Sequence, residues 1–262
     1  VSRPAWSERE LRAALASGQF IPFFQPKIDL KTALPVGVEV LARWQHPVFG
    51  LLGPADFLHA LERTGLATDL FFDLFSQTLA CASRWGERGW DIGFAVNVSP
   101  TTLQDTRVPG RVAALVRDMD IAAPITIEIT EAVLAHDRAA LKRSADLLRQ
   151  HGFMLAVDDF GTGLSGLQQL SSLPFTELKI DRTLVAGTAD RPKARVILEA
   201  IVDLANRLHL DTVAEGIETD CELALLEGIG CRLGQAYLLA RPMAENKLSR
   251  YLGQTLRRPL AA

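Results

Sequence analysis

The sequence has little of what marks several protein classes. Its 3 cysteines, at positions 81, 221 and 231, are far apart and form no Cys-x-x-Cys pair. That excludes a disulfide framework and a zinc knuckle, and buried free thiols in a reducing compartment are expected. None of the 5 histidines falls at a strand-end motif. His46 and His136 come closest, and both read as surface or turn residues. No apolar run approaches the roughly 18 residues of a membrane span, and Val1 to Phe20 is charged throughout, unlike a signal peptide. A formal net charge of −3 excludes a broad footprint for a nucleic acid polymer. It leaves room for a small phosphate ligand met by metals and a few basic residues. There is no Gly-x-Gly-x-x-Gly fingerprint, repeat, low-complexity run or long linker. The chain opens on Val, as a fragment or processed chain would, and a cytoplasmic domain is expected.

What is present is alternation. Extended segments near 21–28, 36–44, 92–98, 125–130, 154–158, 176–180, 211–214 and 231–236 are separated by helical spacing at 56–63, 68–88, 107–119, 138–151, 191–208 and 219–228, with a short helix at 164–172. Such alternation implies a parallel sheet with helical crossovers, and its extent points to an α/β protein of the TIM (β/α)₈ barrel type. The first two strands are joined by a link far too short for a parallel crossover, so the barrel is modified, with an antiparallel first strand. Residues 1–19 read as an N-terminal linker helix, with Ser7 as N-cap, Glu10 completing a capping box and Gly18 as the stop. Residues 20–262 then form the barrel domain.

The chemistry gathers at the strand ends, where barrels of this kind place their reactive groups. The segment Leu155 to Gly163 ends an apolar run in Asp158 and Asp159, followed by a glycine-punctuated turn. Alone, the pair is read as a solvated turn. The other strand ends change that reading: Glu39 and Arg43, Asn97, Glu128 and Glu131, Lys179 and Asp181, Glu215 and Glu218, and Gln235. Glu39, Leu41 and Arg43 share one strand face, with Glu39 and Arg43 about 13 Å apart. Asp158 and Asp159 address one centre only if the chain turns at Asp159, which Gly161 makes easy. Carboxylates and an amide oxygen are hard ligands suited to Mg²⁺ or Mn²⁺, and their number makes two ions plausible.

In this order the motifs resemble the EAL-domain family of cyclic di-GMP phosphodiesterases, from about Phe20 to Pro242. The carriers are Phe24-Gln25-Pro26-Lys27, Glu39-Val40-Leu41-Ala42-Arg43-Trp44, Asn97-Val98-Ser99, Glu128 to Glu131, Asp158 to Gly163, Lys179-Ile180-Asp181, Glu215 to Glu218, and Gln235. The resemblance implies hydrolysis of cyclic di-GMP to linear pGpG by in-line attack of a metal-activated water, with two Mg²⁺ or Mn²⁺ ions. By motif match, Glu39, Asn97, Glu128 and Asp158 hold one metal. Asp159 and Glu215 hold the other, and Asp158 bridges. Lys179 orients the water or stabilises phosphate charge, Gln235 binds near that water, and Glu131 braces the loop after Asp159. Gln25, Leu41 and Arg43 contact the ligand, and Asn97, Asp181 and Glu218 are placed with them on the substrate side. A homodimer and an upstream sensory or receiver domain are implied partners. The sequence departs from the family pattern at Val40, where a packing contact is at stake, and at Ala236, which would be strained if its φ were positive. The rival readings are a cyclic di-GMP receptor or partner-docking domain without turnover, and a metal-dependent phosphodiesterase for another substrate.

Overall fold

The structure is a computed structural model that describes residues 6–130, 138–162 and 166–256. Nine strands form one sheet: β1 (Phe20–Asp29), β2 (Leu34–His46), β3 (Gly50–Leu52), β4 (Gly93–Asn97), β5 (Ile125–Thr130), β6 (Met154–Phe160), β7 (Glu177–Ile180), β8 (Asp211–Glu215) and β9 (Leu233–Gln235). The order β1-β9-β8-β7-β6-β5-β4-β2-β3, with a further β1–β2 pairing, closes all but β3 into a barrel. β1 is antiparallel to both β2 and β9, while β2, β4 and the strands through β9 pair in parallel. The modified barrel expected from the short first link is therefore present. That link, residues 30–33, turns on an Asp29 carboxylate that accepts from Thr32 N at 2.9 Å and Thr32 Oγ1 at 3.0 Å.

Helices surround the barrel: α1 (Glu8–Ala16), α2 (Pro54–Arg63), α3 (Ala67–Gly86), α4 (Pro100–Gln104), α5 (Val108–Asp118), α6 (Arg138–Gln150), α7 (Gly166–Ser172), α8 (Arg182–Val185), α9 (Pro192–Arg207), α10 (Asp220–Gly228) and α11 (Glu245–Thr255). The Ser7–Glu10 capping box opens α1, which buries Leu11 and Ala14 beside Trp6, Phe20, Trp44 and Phe57. Four elements lie outside the segments expected from hydrophobic period. β3, α4 and α8 are too short to show a period. α11 starts at Ala244, whose side chain can supply no cap, although the helix buries Leu248 and Leu252.

Strand alternation divides the barrel wall. Outward residues such as Phe24, Val38, Phe94, Ile127, Leu155, Leu178 and Ile180 pack against helix residues including Leu79, Trp85, Val112, Leu141, Leu198 and Val202 in one core. Each fully buried side chain of this kind contributes roughly 1.5–3 kcal/mol. The opposite faces line the interior, where paired residues share a side: Gln25 with Glu39, Glu39 with Ala95, Asn97 with Glu128, Glu128 with Ala156, and Ala156 with Glu177. Small residues make room there; a Cβ at Gly37 would sit 3.3 Å from the Gly93 carbonyl oxygen. Among the described residues no helix is long and apolar enough to cross a membrane. Cys81 and Cys231 are buried free thiols, but Cys221 is exposed, a correction to the expectation that all three are buried. The reason is its helix phase: α10 buries Glu222 and Leu226 instead.

Candidate active site

The parallel strands β4 to β8 deliver their inward residues to one end of the barrel, and the antiparallel β1 brings Gln25 to the same level through its pairing with Glu39. Lys179 on β7 stands at the centre and is only 1% exposed. Its Nζ lies 2.8 Å from Asp158 Oδ1, 2.8 Å from Glu215 Oε1, 3.0 Å from Glu128 Oε2 and 3.4 Å from Glu39 Oε2. Four carboxylates from four strands thus converge on one ammonium. Asn97 Nδ2 donates to Glu39 Oε1 at 2.6 Å, and Gln235 Nε2 donates to Glu39 Oε2 and, at 3.4 Å, to Gln25 Oε1. Gln25 in turn donates to the Ala240 carbonyl at 3.1 Å. The other amide atom of Gln235, Oε1, is buried with no hydrogen-bond partner among the described residues.

The Asp pair meets the condition set by its sequence. Asp159 has φ 55°, and the β6–β7 register shifts between Val157 and Phe160. That left-handed residue swings Asp159 round toward the face of Asp158, and its own N–H donates to Asp158 Oδ1 at 3.0 Å. Gly161 (φ 100°) continues the turn, and Thr162 Oγ1 ties back to the Asp159 carbonyl at 2.9 Å. The result is a group of oxygens, one each from Asp158, Asp159 and Glu215, all within 4.8 Å of one another, as a divalent cation requires.

Electrostatics favour a cation as well. Burial raises the carboxyl pKa of Glu39, Asp158 and Asp159 above the ordinary range, although Lys179 pulls each of them back down. Burial pushes Glu215 up to about 7. Glu128 differs: burial opposes its charge, but Lys179 and Lys27 together hold it down at about 2. Lys179 itself loses hydration by burial, yet its four carboxylate neighbours, Glu128 foremost, keep its pKa well above the ordinary value. Several carboxylates that share a site with too little positive charge form a cation-seeking arrangement.

Two clefts meet at this cluster. One, of 390 Å³, runs past Gln25, Lys179, Arg182, Glu218 and Tyr237. The other, of 330 Å³, is walled by Leu58, Leu70, Phe71, Val96 and Val98. Glu39 and Leu41 line both. A polar, cation-ready floor beside an apolar slot suits a ligand that carries both a phosphodiester and flat rings.

The family comparison agrees with this geometry. The EAL domain model matches residues 8–242. The chain belongs to the EAL-domain family. The EAL chain is 37% identical over 238 residues to the cyclic di-GMP phosphodiesterase RocR of Pseudomonas aeruginosa, an alignment that covers 90% of this chain and 61% of RocR. It is 32% identical over 249 residues to the oxygen sensor protein DosP of Escherichia coli, covering 94% of this chain and 31% of DosP. The chain therefore spans less than two thirds of these curated relatives. Among solved structures, the PaMucR phosphodiesterase in complex with cyclic di-GMP superposes with a TM-score of 0.85 at 34% identity, covering 92% of this chain and 98% of that one. The EAL enzyme Bd1971, in a form with cAMP and cyclic di-GMP bound, gives 0.88 at 28% identity, covering 94% and 68%.

The sequence-derived residues divide into three groups. Glu39, Asn97, Glu128, Asp158, Asp159, Lys179, Glu215, Gln25 and Gln235 come together. Arg43, Asp181 and Glu218 hold other contacts, although the Asp181 carboxylate is near enough to Asp159 to help raise its pKa. Arg43 donates to the Ala42 carbonyl at 2.8 Å with its guanidinium 5.4 Å from the Phe23 ring centroid. Asp181 caps α8, accepting from Thr183 N at 2.9 Å. Glu218 is exposed on the cleft rim, its backbone N–H bound to Glu222 Oε2 at 2.9 Å. Glu131, Gly163 and His136 lie outside the described residues. His46 is a turn residue, as expected: its Nδ1 accepts from Val48 N at 3.1 Å and Phe49 N at 3.2 Å, while its ring packs among Trp6, Trp44 and Phe49. Ala236 has no positive φ, so the strain considered for it does not arise. Two charged residues of the cluster were not singled out as site residues, Lys27 and Glu177. Each lies two positions from a recognised one, Gln25 and Lys179, and the period of two puts them on the same inward face.

Proposed function

We propose that this EAL domain hydrolyses cyclic di-GMP to linear pGpG with two divalent cations, Mg²⁺ or Mn²⁺. The observation that carries the reading is the ring of Glu39, Glu128, Asp158 and Glu215 around buried Lys179, with Asp159 turned toward it. The donor set is oxygen only, as hard cations prefer. Among the described residues, six carboxylates (the five above and Glu177) meet two lysines, an excess of negative charge that divalent cations would offset. Glu39, Asn97, Glu128 and Asp158 would hold one cation and Asp159 and Glu215 the other, with Asp158 between. Bound there, the pair would supply charge neutralisation for the phosphate and lower the pKa of an attacking water.

The protein's own groups do the rest. Lys179 would hold the water in line or meet charge building on the phosphate, a role supported by its convergence with four carboxylates. Gln235, with a free amide oxygen, can accept a hydrogen bond from that water. Leu41 lines both clefts, and Arg43, two residues along the same strand face, would offer a guanidinium to a phosphate or guanine edge. Glu218, which lines the polar cleft, and Asp181 are assigned to the substrate side, and Glu131 is assigned the brace of the loop after Asp159. The test is turnover of cyclic di-GMP by the purified protein with Mg²⁺, Mn²⁺, Ca²⁺ or chelator. Mg²⁺ and Mn²⁺ should support formation of pGpG, while chelator abolishes it. Ca²⁺, with its longer and looser coordination, should bind and inhibit. Binding of cyclic di-GMP without turnover in any metal would make the domain a receptor. A homodimer and an upstream regulatory domain complete the proposal, and chain mass in solution tests the first.

A further inference from the structure

Beneath the candidate ligands lies a second layer of charge. Lys27 enters the barrel from β1 and is 4% exposed. Its Nζ is 2.9 Å from Glu128 Oε1 and 2.5 Å from Glu177 Oε1. Glu128 is fully buried, and its other oxygen, Oε2, faces Lys179 at 3.0 Å. Each oxygen of this one carboxylate therefore has its own lysine, one from below and one from the site. The final torsion of a glutamate is soft and roughly two-fold. An ammonium fixed on Oε1 removes that freedom and leaves Oε2 aimed at the cluster. Glu177 holds Lys27 from the far side, so the ammonium is fixed in turn. Lys27 lines neither cleft.

We propose that Lys27, anchored by Glu177, is a positioning residue that presents Glu128 Oε2 to the cation site. The inference rests on the two-cation reading above. Outer partners that orient a ligating group typically contribute about 10- to 100-fold in metal affinity. Two effects of removing Lys27 have opposite signs. Loss of its positive charge would tighten cation binding, because like charges repel. Loss of orientation would weaken it. The direction of the change thus identifies which role dominates.

The experiment titrates Mn²⁺ into the nucleotide-free protein by calorimetry for wild type, Lys27→Met and the double variant Lys27→Met with Glu177→Met. The double variant removes both buried charges and fills the space with apolar groups, a replacement that buried ion pairs often tolerate without loss of stability. Both variants should bind Mn²⁺ about 10- to 100-fold more weakly. The midpoint for metal activation of hydrolysis should shift by the same factor. KM for cyclic di-GMP at saturating metal should stay within about twofold, because Lys27 touches neither cleft. Where the single variant does not fold, the double variant decides. Unchanged or tighter Mn²⁺ binding in a folded variant overturns the proposal and makes Lys27 and Glu177 a purely structural pair. Wild type that binds no Mn²⁺ overturns the two-cation reading along with it, and the two failures are told apart by the wild-type titration.

Discussion

The two faces of the same barrel strands could hardly differ more. On β5, Ile125, Ile127 and Ile129 point out into the core while Thr126, Glu128 and Thr130 point in. On β7, Leu178 and Ile180 point out while Glu177 and Lys179 point in. Barrels of this type ordinarily fill their interior with layers of branched apolar side chains. Here the interior is a lattice of charge, made possible by small neighbours such as Gly37, Ala95 and Ala156. Stability and chemistry are thereby divided between faces one residue apart. The outer face buries the area that holds the fold. The inner face gathers carboxylates, and burial raises the pKa of Glu39, Asp158, Asp159 and Glu215, while that of Glu128 is lowered.

That division is broken most severely by removing a candidate ligand. Glu39→Ala or Asp158→Ala should lower kcat by on the order of 10²-fold or more, the scale of losing one preorganised electrostatic partner. The chelated protein should melt no lower than wild type, since like-charge repulsion is relieved. The mirror experiment is Phe94→Ala on the outer face. Phe94 is 2% exposed in the core, and its loss should destabilise by about 3–5 kcal/mol with kcat of the folded fraction unchanged. Chemical denaturation and steady-state kinetics on the same preparations check both. A ligand variant with near-normal kcat removes that residue from the site.

A second test concerns pH. Glu39, Asp158, Asp159 and Glu215 have raised pKa values in the fold, so folding favours their protonated forms. Their contribution is most favourable below the unfolded carboxylate range and is lost as pH rises through each raised pKa, that of Glu215 at about 7. Glu128, lowered to about 2, works the other way and loses its contribution only as pH falls below its ordinary 4.5. Between about pH 4.5 and 7 the four raised groups dominate. The chelated protein should therefore melt higher at pH 5 than at pH 7.5, and Mg²⁺ should reduce or reverse the difference. Glu215→Gln should flatten the upper part of the curve. Identical melting across this range in chelator would mean that the four acids carry no strain.

Much of this comparison was legible in the sequence. The short β1–β2 link dictated the antiparallel strand, and the period of two placed Glu39, Leu41 and Arg43 together. The turn at Asp159 followed from the need for adjacent aspartates to share a centre. What escaped was depth. Attention to strand ends finds groups at the open rim, whereas Lys27 and Glu177 sit one layer lower and their meeting depends on barrel closure across strands far apart in sequence. The partner of Arg43 escaped for the same reason. Phe23 pairs with Leu41 across the β1–β2 register, and only that register puts its ring diagonal to the guanidinium.

Arg43 gives a third and smaller effect. Arg43→Lys keeps the charge but loses the paired, planar donors and the stacking on Phe23. KM for cyclic di-GMP should rise about tenfold, one charge-assisted hydrogen bond, with kcat changed less. An unchanged KM would assign Arg43 to holding the β1–β2 edge alone.

The smallest effect lies outside both barrel faces, in the cysteines. Cys81 on α3 is buried, and burial, with Glu245 adding to it, pushes its thiol up to about 12. It stays protonated at pH 8, and only the thiolate is nucleophilic. Cys231 is buried and its thiol is also raised, again by burial. Cys221 is exposed on α10 beside Arg195 and Glu199, in a surface depression that shares no residue with the two clefts. Alkylation of the native protein at pH 8 should therefore stop at one adduct, on Cys221, and leave kcat and KM within error of the untreated protein. In denaturant all three should react. Rapid labelling of Cys81 in the native state would show that the outer core between α3 and the barrel opens readily, and the assignment of stability to that face would fail with it.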